Sequence, residues 1–308
     1  MFSLNSLRKK FINSLYFHQW SLMMYISDDF STNFSIFKKI IPPKDRFWAD
    51  PFIVYKNEKY YVFFEELIYS EKIGHISLIE IDKNGNHSKP EKILDLPFHL
   101  SYPFIFEFEK NYYFIHASIS KNRASVDLFK CIEFPYKWEF YKELIPNMPL
   151  VDTTLFYHKN KWWLFACVAN NDGTSLSKNL VLYYNDSLIN NSWISHPQNP
   201  IISDISKARP AGNIFNMQDR LIRPSQNCSK YYGYGLCFNE IIKLTETEYE
   251  EKLIESFEPK LNNDFIGMHT FNRKNNLTII DVIFRRPRSL LNWCQHIFIH
   301  IKKYFRYY

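Results

Sequence analysis

Two aspartates stand at equivalent places in the chain. Asp50 lies four residues before Val54, and Asp152 lies four residues before Phe156. Each leads into an apolar, aromatic run of strand type, where a carboxylate is out of place unless it faces a polar cavity. Within reach in sequence of similar runs are Tyr102, Arg209, Arg223, Gln226 and His269, together with the pair Glu65-Glu66 at the end of Tyr60-Tyr61-Val62-Phe63-Phe64. Carboxylates accept hydrogen bonds from sugar hydroxyls and do acid and base work, while arginines hold a carboxylate or phosphate in two places. The mixture suits a sugar, a sugar nucleotide or a glycan, with Asp50, Asp152 and Glu66 as candidate catalytic groups. Tyr102, Arg209, Arg223, Gln226 and His269 are the candidate substrate contacts.

These positions are tied together by a repeat. Val54 is followed six residues later by apolar Tyr60, and the same frame returns as Phe106 with Tyr112, Phe156 with Trp162, Phe215 with Leu221, and Phe271 with Leu277. Five units at a period in the fifties fit propeller blades and not helical repeats. In a propeller the innermost strands line one central axis, so equivalent positions converge. Four residues before each anchor stand Asp50, Tyr102, Asp152, Ala211 and Gly267. The expected fold is therefore all-β, a five-bladed β-propeller over 44–284. Residues 1–43 would be a basic lead-in, partly helical to about residue 20, with 21–42 supplying the outer strand that closes the last blade. Residues 247–255 read as a short helix or a strand edge. Residues 285–308 read as a basic, amphipathic C-terminal helix.

Composition sets the outer bounds. The 308 residues include 28 Phe and 21 Tyr but only 7 Gly, enough apolar surface for a large core. There is no GxGxxG and no Walker A loop, so two common phosphate cradles are absent. The five cysteines show no CxxC spacing, which points to free thiols in a reduced compartment and to no zinc site. No cofactor or metal is expected. The net charge of +6 comes from the six basic, acid-free residues of 285–308, leaving a neutral body of 32 basic and 32 acidic residues. That excludes a nucleic-acid-binding body. It points to an anionic membrane surface as partner for 289–308, and to a cytoplasmic protein peripheral on the inner face of the membrane.

The motifs also carry a resemblance. Trp48-Ala49-Asp50-Pro51-Phe52 and the Phe64-Glu65-Glu66 strand end resemble the opening of five-bladed propellers of glycoside hydrolase families 43 and 32. A wider set is similar to the N-terminal domain of plant glucosamine inositolphosphorylceramide transferase and its bacterial relatives. It comprises His99-Leu100-Ser101-Tyr102-Pro103-Phe104, Val151-Asp152, Trp162-Trp163-Leu164-Phe165, Ala208-Arg209-Pro210-Ala211-Gly212, Arg223-Pro224-Ser225-Gln226-Asn227-Cys228, Tyr232-Gly233 and His269-Thr270-Phe271. It spans roughly residues 44–284. The hydrolase resemblance implies that Asp50 is the general base and Asp152 tunes the acid. The acid itself, a fourth-blade Glu, has no match, since Arg209-Pro210-Ala211-Gly212 stands where it belongs. In the plant protein, transfer is assigned to a separate C-terminal domain.

Two functions follow as expectations. One is an enzyme of surface-glycan biosynthesis that transfers or cleaves a glycosyl unit at an axial pocket. The other is a non-catalytic glycan-binding propeller that supports a partner glycosyltransferase. Plain structural roles compete residue by residue: a turn cap for Asp50, inter-blade ion pairs for Arg209 and Arg223, a core hydrogen bond for His269, a solvated pair for Glu65-Glu66.

Overall fold

In the computed structural model, residues 15–120, 123–168, 176–190, 192–260 and 264–288 are described. They form five antiparallel sheets arranged as the blades of a propeller. Blade one consists of Arg46–Lys56, Lys59–Ile68, Gly74–Ile81 and Glu91–Leu94. Blade two consists of Phe104–Phe108, Asn111–Ser120, Arg123–Glu133 and Lys137–Pro146. Blade three runs from Leu150–His158 through Lys161–Val168 and Asn179–Asn185, with two short outer strands, Ile194–Ser195 and Ile202–Ser203. Blade four is Phe215–Met217, Arg220–Asn227, Gly235–Leu244 and Tyr249–Phe257.

Blade five closes the ring. Its inner strands, Phe265–Lys274 and Leu277–Pro287, are joined by Tyr16–Ile26, which pairs with Leu277–Pro287 along its whole length, and by Lys38–Ile40 on the outside. The N-terminal segment thus supplies two strands and not one. Tyr16–Trp20 belong to the first of them, so the helical lead-in expected to about residue 20 does not hold there. Its apolar alternation is satisfied by a sheet edge that no local pattern announces. Of residues 247–255, those from 249 on are strand, within Tyr249–Phe257. Residues 1–14 and the expected helix 289–308 lie outside the described residues.

The six-residue frame is a tight hairpin. In the first four blades the inner turn is made by two residues with positive φ: Asn57-Glu58, Glu109-Lys110, Lys159-Asn160 and Gln218-Asp219. Such turns match the right-handed twist of the strands they join. The fifth hairpin turns one residue later, with Lys274 opposite Leu277 and Asn275 at φ 50°. Gly267 is therefore out of step with Asp50. Between blades the core is aromatic: Phe63 meets Trp138, and Phe106 meets Trp162. Trp162 and Trp163 are both buried packing residues.

Candidate functional site

The inner strands do not run straight past the axis. Pairing breaks between Ala49 and Phe52 and again between Val151 and Thr154. Asp50 and Asp152 sit in these bulges with φ of 52° and 51°, and Tyr102, just before the inner strand of blade two, has φ 47°. A non-glycine residue in this left-handed region costs about 1–2 kcal/mol. Bulges re-aim side chains, and here all three point into one buried cluster.

Asp50 is held from three sides. Its Oδ1 accepts from the Thr270 hydroxyl at 2.8 Å, and its Oδ2 from the Tyr102 amide at 3.2 Å. Its own amide donates to Asp281 Oδ2 at 2.8 Å. Asp281 is fully buried and also accepts from the amides of His269 and Thr270. Its Oδ2 lies 2.6 Å from His269 Nδ1, so that nitrogen carries a proton. Burial alone would lower the His269 pKa, but the carboxylates of Asp281 and Asp50 overcome this and raise it. The ring is stacked on Trp20 at 3.9 Å and met edge-on by Tyr232. Gly233, with φ 71°, lets Trp20 in: a Cβ there would lie 2.6 Å from the indole.

The second carboxyl beside Asp50 is Glu65, not Glu66. Burial, then the Asp50 charge and a hydrogen bond with Asp50, push the Glu65 pKa well above its usual range. Burial likewise raises Asp50 to about 6, with the Asp281 and Asp152 charges adding to the rise and His269 opposing it. Each carboxyl thus disfavours the charge of the other, and the two titrate as a pair. His99 supports Glu65: its Nδ1 accepts from the Gly74 amide at 3.0 Å, which leaves Nε2–H to face Glu65 Oε1 at 3.3 Å.

Glu66, expected as catalytic, is placed elsewhere. It accepts from Arg46, Trp48 Nε1 and the Ser77 hydroxyl, and its Oε2 lies 3.1 Å from His75 Nε2. Burial opposes its ionisation, yet these contacts hold its pKa at about 2. It is a saturated structural anion. Simple alternation would put Asp50 on the face of Trp48 and Glu66. The bulge at Asp50 moves it onto the face of Ala49 and Glu65.

Asp152 is clamped by Arg209, whose Nε lies 2.5 Å from Oδ2, and by Gln226 Nε2 at 2.9 Å. The Arg209 guanidinium sits over the Tyr232 ring at 4.8 Å. Burial works against its charge, but Asp152 outweighs it and raises its pKa. The Tyr102 hydroxyl lies 2.8 Å from Thr154 Oγ1 and accepts from the Gly212 amide at 2.7 Å, binding blades two, three and four together. Arg223 is not brought to the cluster. It pairs twice with Glu251 at 2.8 Å and donates to the Lys207 carbonyl, inside blade four. Its long side chain had read as a ligand clamp, but an inward-facing strand position next to Glu251 makes it a buried ion pair.

The structure thus brings together Asp50, Tyr102, Asp152, Arg209, Gln226 and His269. It adds Glu65, Thr270, Asp281, Trp20 and Tyr232. Asp281 could not be found by the repeat because it stands on the second strand of its blade. Asp50, His269 and Asp281 each place one ligand-type atom within 4.8 Å of the others. The Asp281 oxygens, however, already receive three backbone N–H groups and His269 Nδ1, so its lone pairs are filled by protons and do not suit a metal.

Comparison with known proteins is consistent with this architecture. Residues 32–278 match the family described as glucosamine inositolphosphorylceramide transferase 1, N-terminal. The chain is 35% identical over 208 residues to glucosamine inositolphosphorylceramide transferase 1 of Oryza sativa subsp. japonica, and 29% identical over 208 residues to that of Arabidopsis thaliana. Each match covers 67% of this chain but 27% of the relative, so the chain spans about a quarter of those proteins. Among solved structures it is similar to Zg3597, a family 117 glycoside hydrolase produced by the marine bacterium Zobellia galactanivorans. That match has a TM-score of 0.55 and 13% identity, and covers 90% of this chain and 92% of the other. It is also similar to the family 32 β-fructofuranosidase of Bombyx mori, with a TM-score of 0.54 and 11% identity over 75% and 54% of the two chains. At these identities the structural likeness speaks for the fold alone.

Proposed function

Because the chain belongs to the family of the glucosamine inositolphosphorylceramide transferase N-terminal region, we propose that it is a carbohydrate-active propeller of surface-glycan assembly, acting on a glycosyl unit at the axial cluster. The observation that carries this reading is the Asp50–Glu65 carboxyl pair backed by His269 and Asp281. Four buried acids around one histidine and one arginine are costly to a fold. A cluster held at such cost beside a left-handed bulge is the mark of a working site.

Asp50 is the base in this reading. An acceptor hydroxyl attacks the anomeric carbon, its oxygen forms the new bond, and its proton passes to Asp50. The bond to the leaving oxygen breaks and that oxygen takes the bonding pair. A sugar alkoxide would need a proton from the opposite face, whereas Glu65 is hydrogen-bonded to the base itself; a phosphate leaves as a stable anion and needs none. The lack of a fourth-blade acid favours the second case. Asp152, held in place by Arg209 and Gln226, orients hydroxyls.

The non-catalytic reading, a glycan-binding partner of a glycosyltransferase, is favoured by a different observation. Asp152 and the Tyr102 hydroxyl are both already held by donors of the protein itself. A ligand screen by thermal shift, with sugar nucleotides, sugar phosphates and neutral sugars, followed by turnover assays on the hits, separates the two. The proposed activity predicts turnover of phosphate-activated donors by the wild type and its loss, with the fold and ligand binding kept, in Asp50→Asn. Ligand binding with no turnover in wild type would leave the binding role. No shift with any sugar ligand would overturn both.

A further inference from the structure

Blades four and five leave a pocket of about 630 Å³ between them, lined in part by His18, Tyr231, Tyr232, Tyr234, Lys260 and Arg285. That volume lies within the usual range for small-molecule sites, roughly 300–1,000 Å³. The pocket adjoins the axial cluster at Tyr232. The Tyr232 ring lines the pocket and also meets Arg209 and His269. A strand face leads the same way. His18 stands opposite Arg285 in the sheet, and Trp20, two residues on and so on the same face, stacks on His269.

The charge of this pocket is uncompensated. Among the described residues, neither Lys260 nor Arg285 has an ion pair or a hydrogen bond to its side chain. Arg286, one residue further on, does have a partner, the Gln19 side-chain carbonyl at 3.0 Å. Glu258, close to Lys260 in the chain, is already taken by the Tyr234 hydroxyl at 2.6 Å and by Lys230 at 3.7 Å. Burial, then Arg285 and Arg288, hold His18 below its ordinary pKa, as expected in a positive field lacking its counter-ion. Tyr231 and Tyr232 are 45% and 48% exposed, large apolar faces left open at the pocket. The Tyr232 hydroxyl has no hydrogen-bond partner among the described residues.

We infer that this pocket recognises the phosphate of a sugar phosphate ester, with the sugar ring against Tyr231 and Tyr232 and pointing to the axial cluster. A phosphate offers several acceptor oxygens to donors arriving from different strands. Arg285 can take two, and Lys260 supplies a point charge. A flat apolar face suits a sugar ring. The inference rests on the glycosyl reading of the axial cluster only for the direction in which the sugar points.

The test is calorimetric titration of the full chain with glucose 1-phosphate, inorganic phosphate and glucose. The variant is the double substitution Lys260→Ala with Arg285→Ala, both at exposed positions where folding is not at stake. The expected result is tighter binding of glucose 1-phosphate than of glucose, and at least a tenfold loss in the double variant, about 1.4 kcal/mol. Unchanged affinity in the variant, or no affinity of wild type for either phosphate, would overturn the inference. Variant-sensitive phosphate binding to which the glucose moiety adds nothing would keep the phosphate pocket and overturn the sugar contact at Tyr231 and Tyr232. Sedimentation with phosphatidylcholine vesicles containing phosphatidylinositol separates two sources of the ester. Variant-sensitive sedimentation assigns a lipid headgroup, and its absence with retained glucose 1-phosphate binding assigns the free ester.

Discussion

Replacing Asp50 by Asn separates a working carboxylate from a turn cap. The backbone tolerates the change, because Asn is among the few residues at ease near φ 52°. The charge does not. A carboxyl that ionises near 3.8 in the unfolded chain and at about 6 in the folded one costs folding about 3 kcal/mol once pH passes 7. The folded pKa is the raised one, so the contribution of Asp50 to stability is fully present below about pH 3.8 and is lost as pH rises through about 6. Asn escapes that loss. Against this, its amide can satisfy only one of the two donors from Thr270 and Tyr102, a cost of about 1–2 kcal/mol. Asp50→Asn is therefore expected to be less stable than wild type near pH 4 and more stable by about 1–2 kcal/mol near pH 8, with function lost throughout. Because Asp50 and Glu65 titrate as a pair, the crossing point belongs to both. Urea unfolding of both proteins at several pH values measures it. A stability difference of the same sign and size at acid and alkaline pH would refute the reasoning and make Asp50 a structural turn residue.

Glu66 should behave in the opposite way. Its folded pKa of about 2 lies below the unfolded 4.5, so its contribution is present above about pH 4.5 and disappears as pH falls toward 2. Glu66→Gln should cost about 2 kcal/mol at pH 7, after allowance for solvent screening, with no specific loss of ligand binding; the difference should shrink by pH 3 and be nearly gone at pH 2. Tyr102→Phe strands the Gly212 amide, which now donates to the Tyr102 hydroxyl, and should cost about 1–3 kcal/mol. Hydrogen exchange at that amide should quicken more than at neighbouring amides of blade four, and an unchanged rate would show that the hydroxyl does not join the blades.

The repeat frame was legible in the sequence because a two-residue hairpin fixes its own spacing. Six residues separate the anchors wherever two left-handed residues make the turn, whatever the rest of the blade does. Counting that frame was enough to read five blades and to bring Asp50, Tyr102 and Asp152 to one axis. The family resemblance and His269 were legible for the same reason, being local strings of residues.

What the frame could not show was set by register and by contacts across the ring. One extra residue in a bulge turns Asp50 from the side of Glu66 to that of Glu65, and side-chain parity has no local signal for such a shift. The fifth hairpin slips by one, so the axial partners from blade five are His269 and Thr270, and not Gly267. Asp281 and Trp20 enter from strands more than two hundred residues apart in sequence, joined only because the chain ends meet in one sheet. Arg209 and Arg223 look alike as residues; the one meets Asp152 and the other Glu251. Which arginine serves the cluster and which serves the blade is decided by where the nearest carboxylate lies in space.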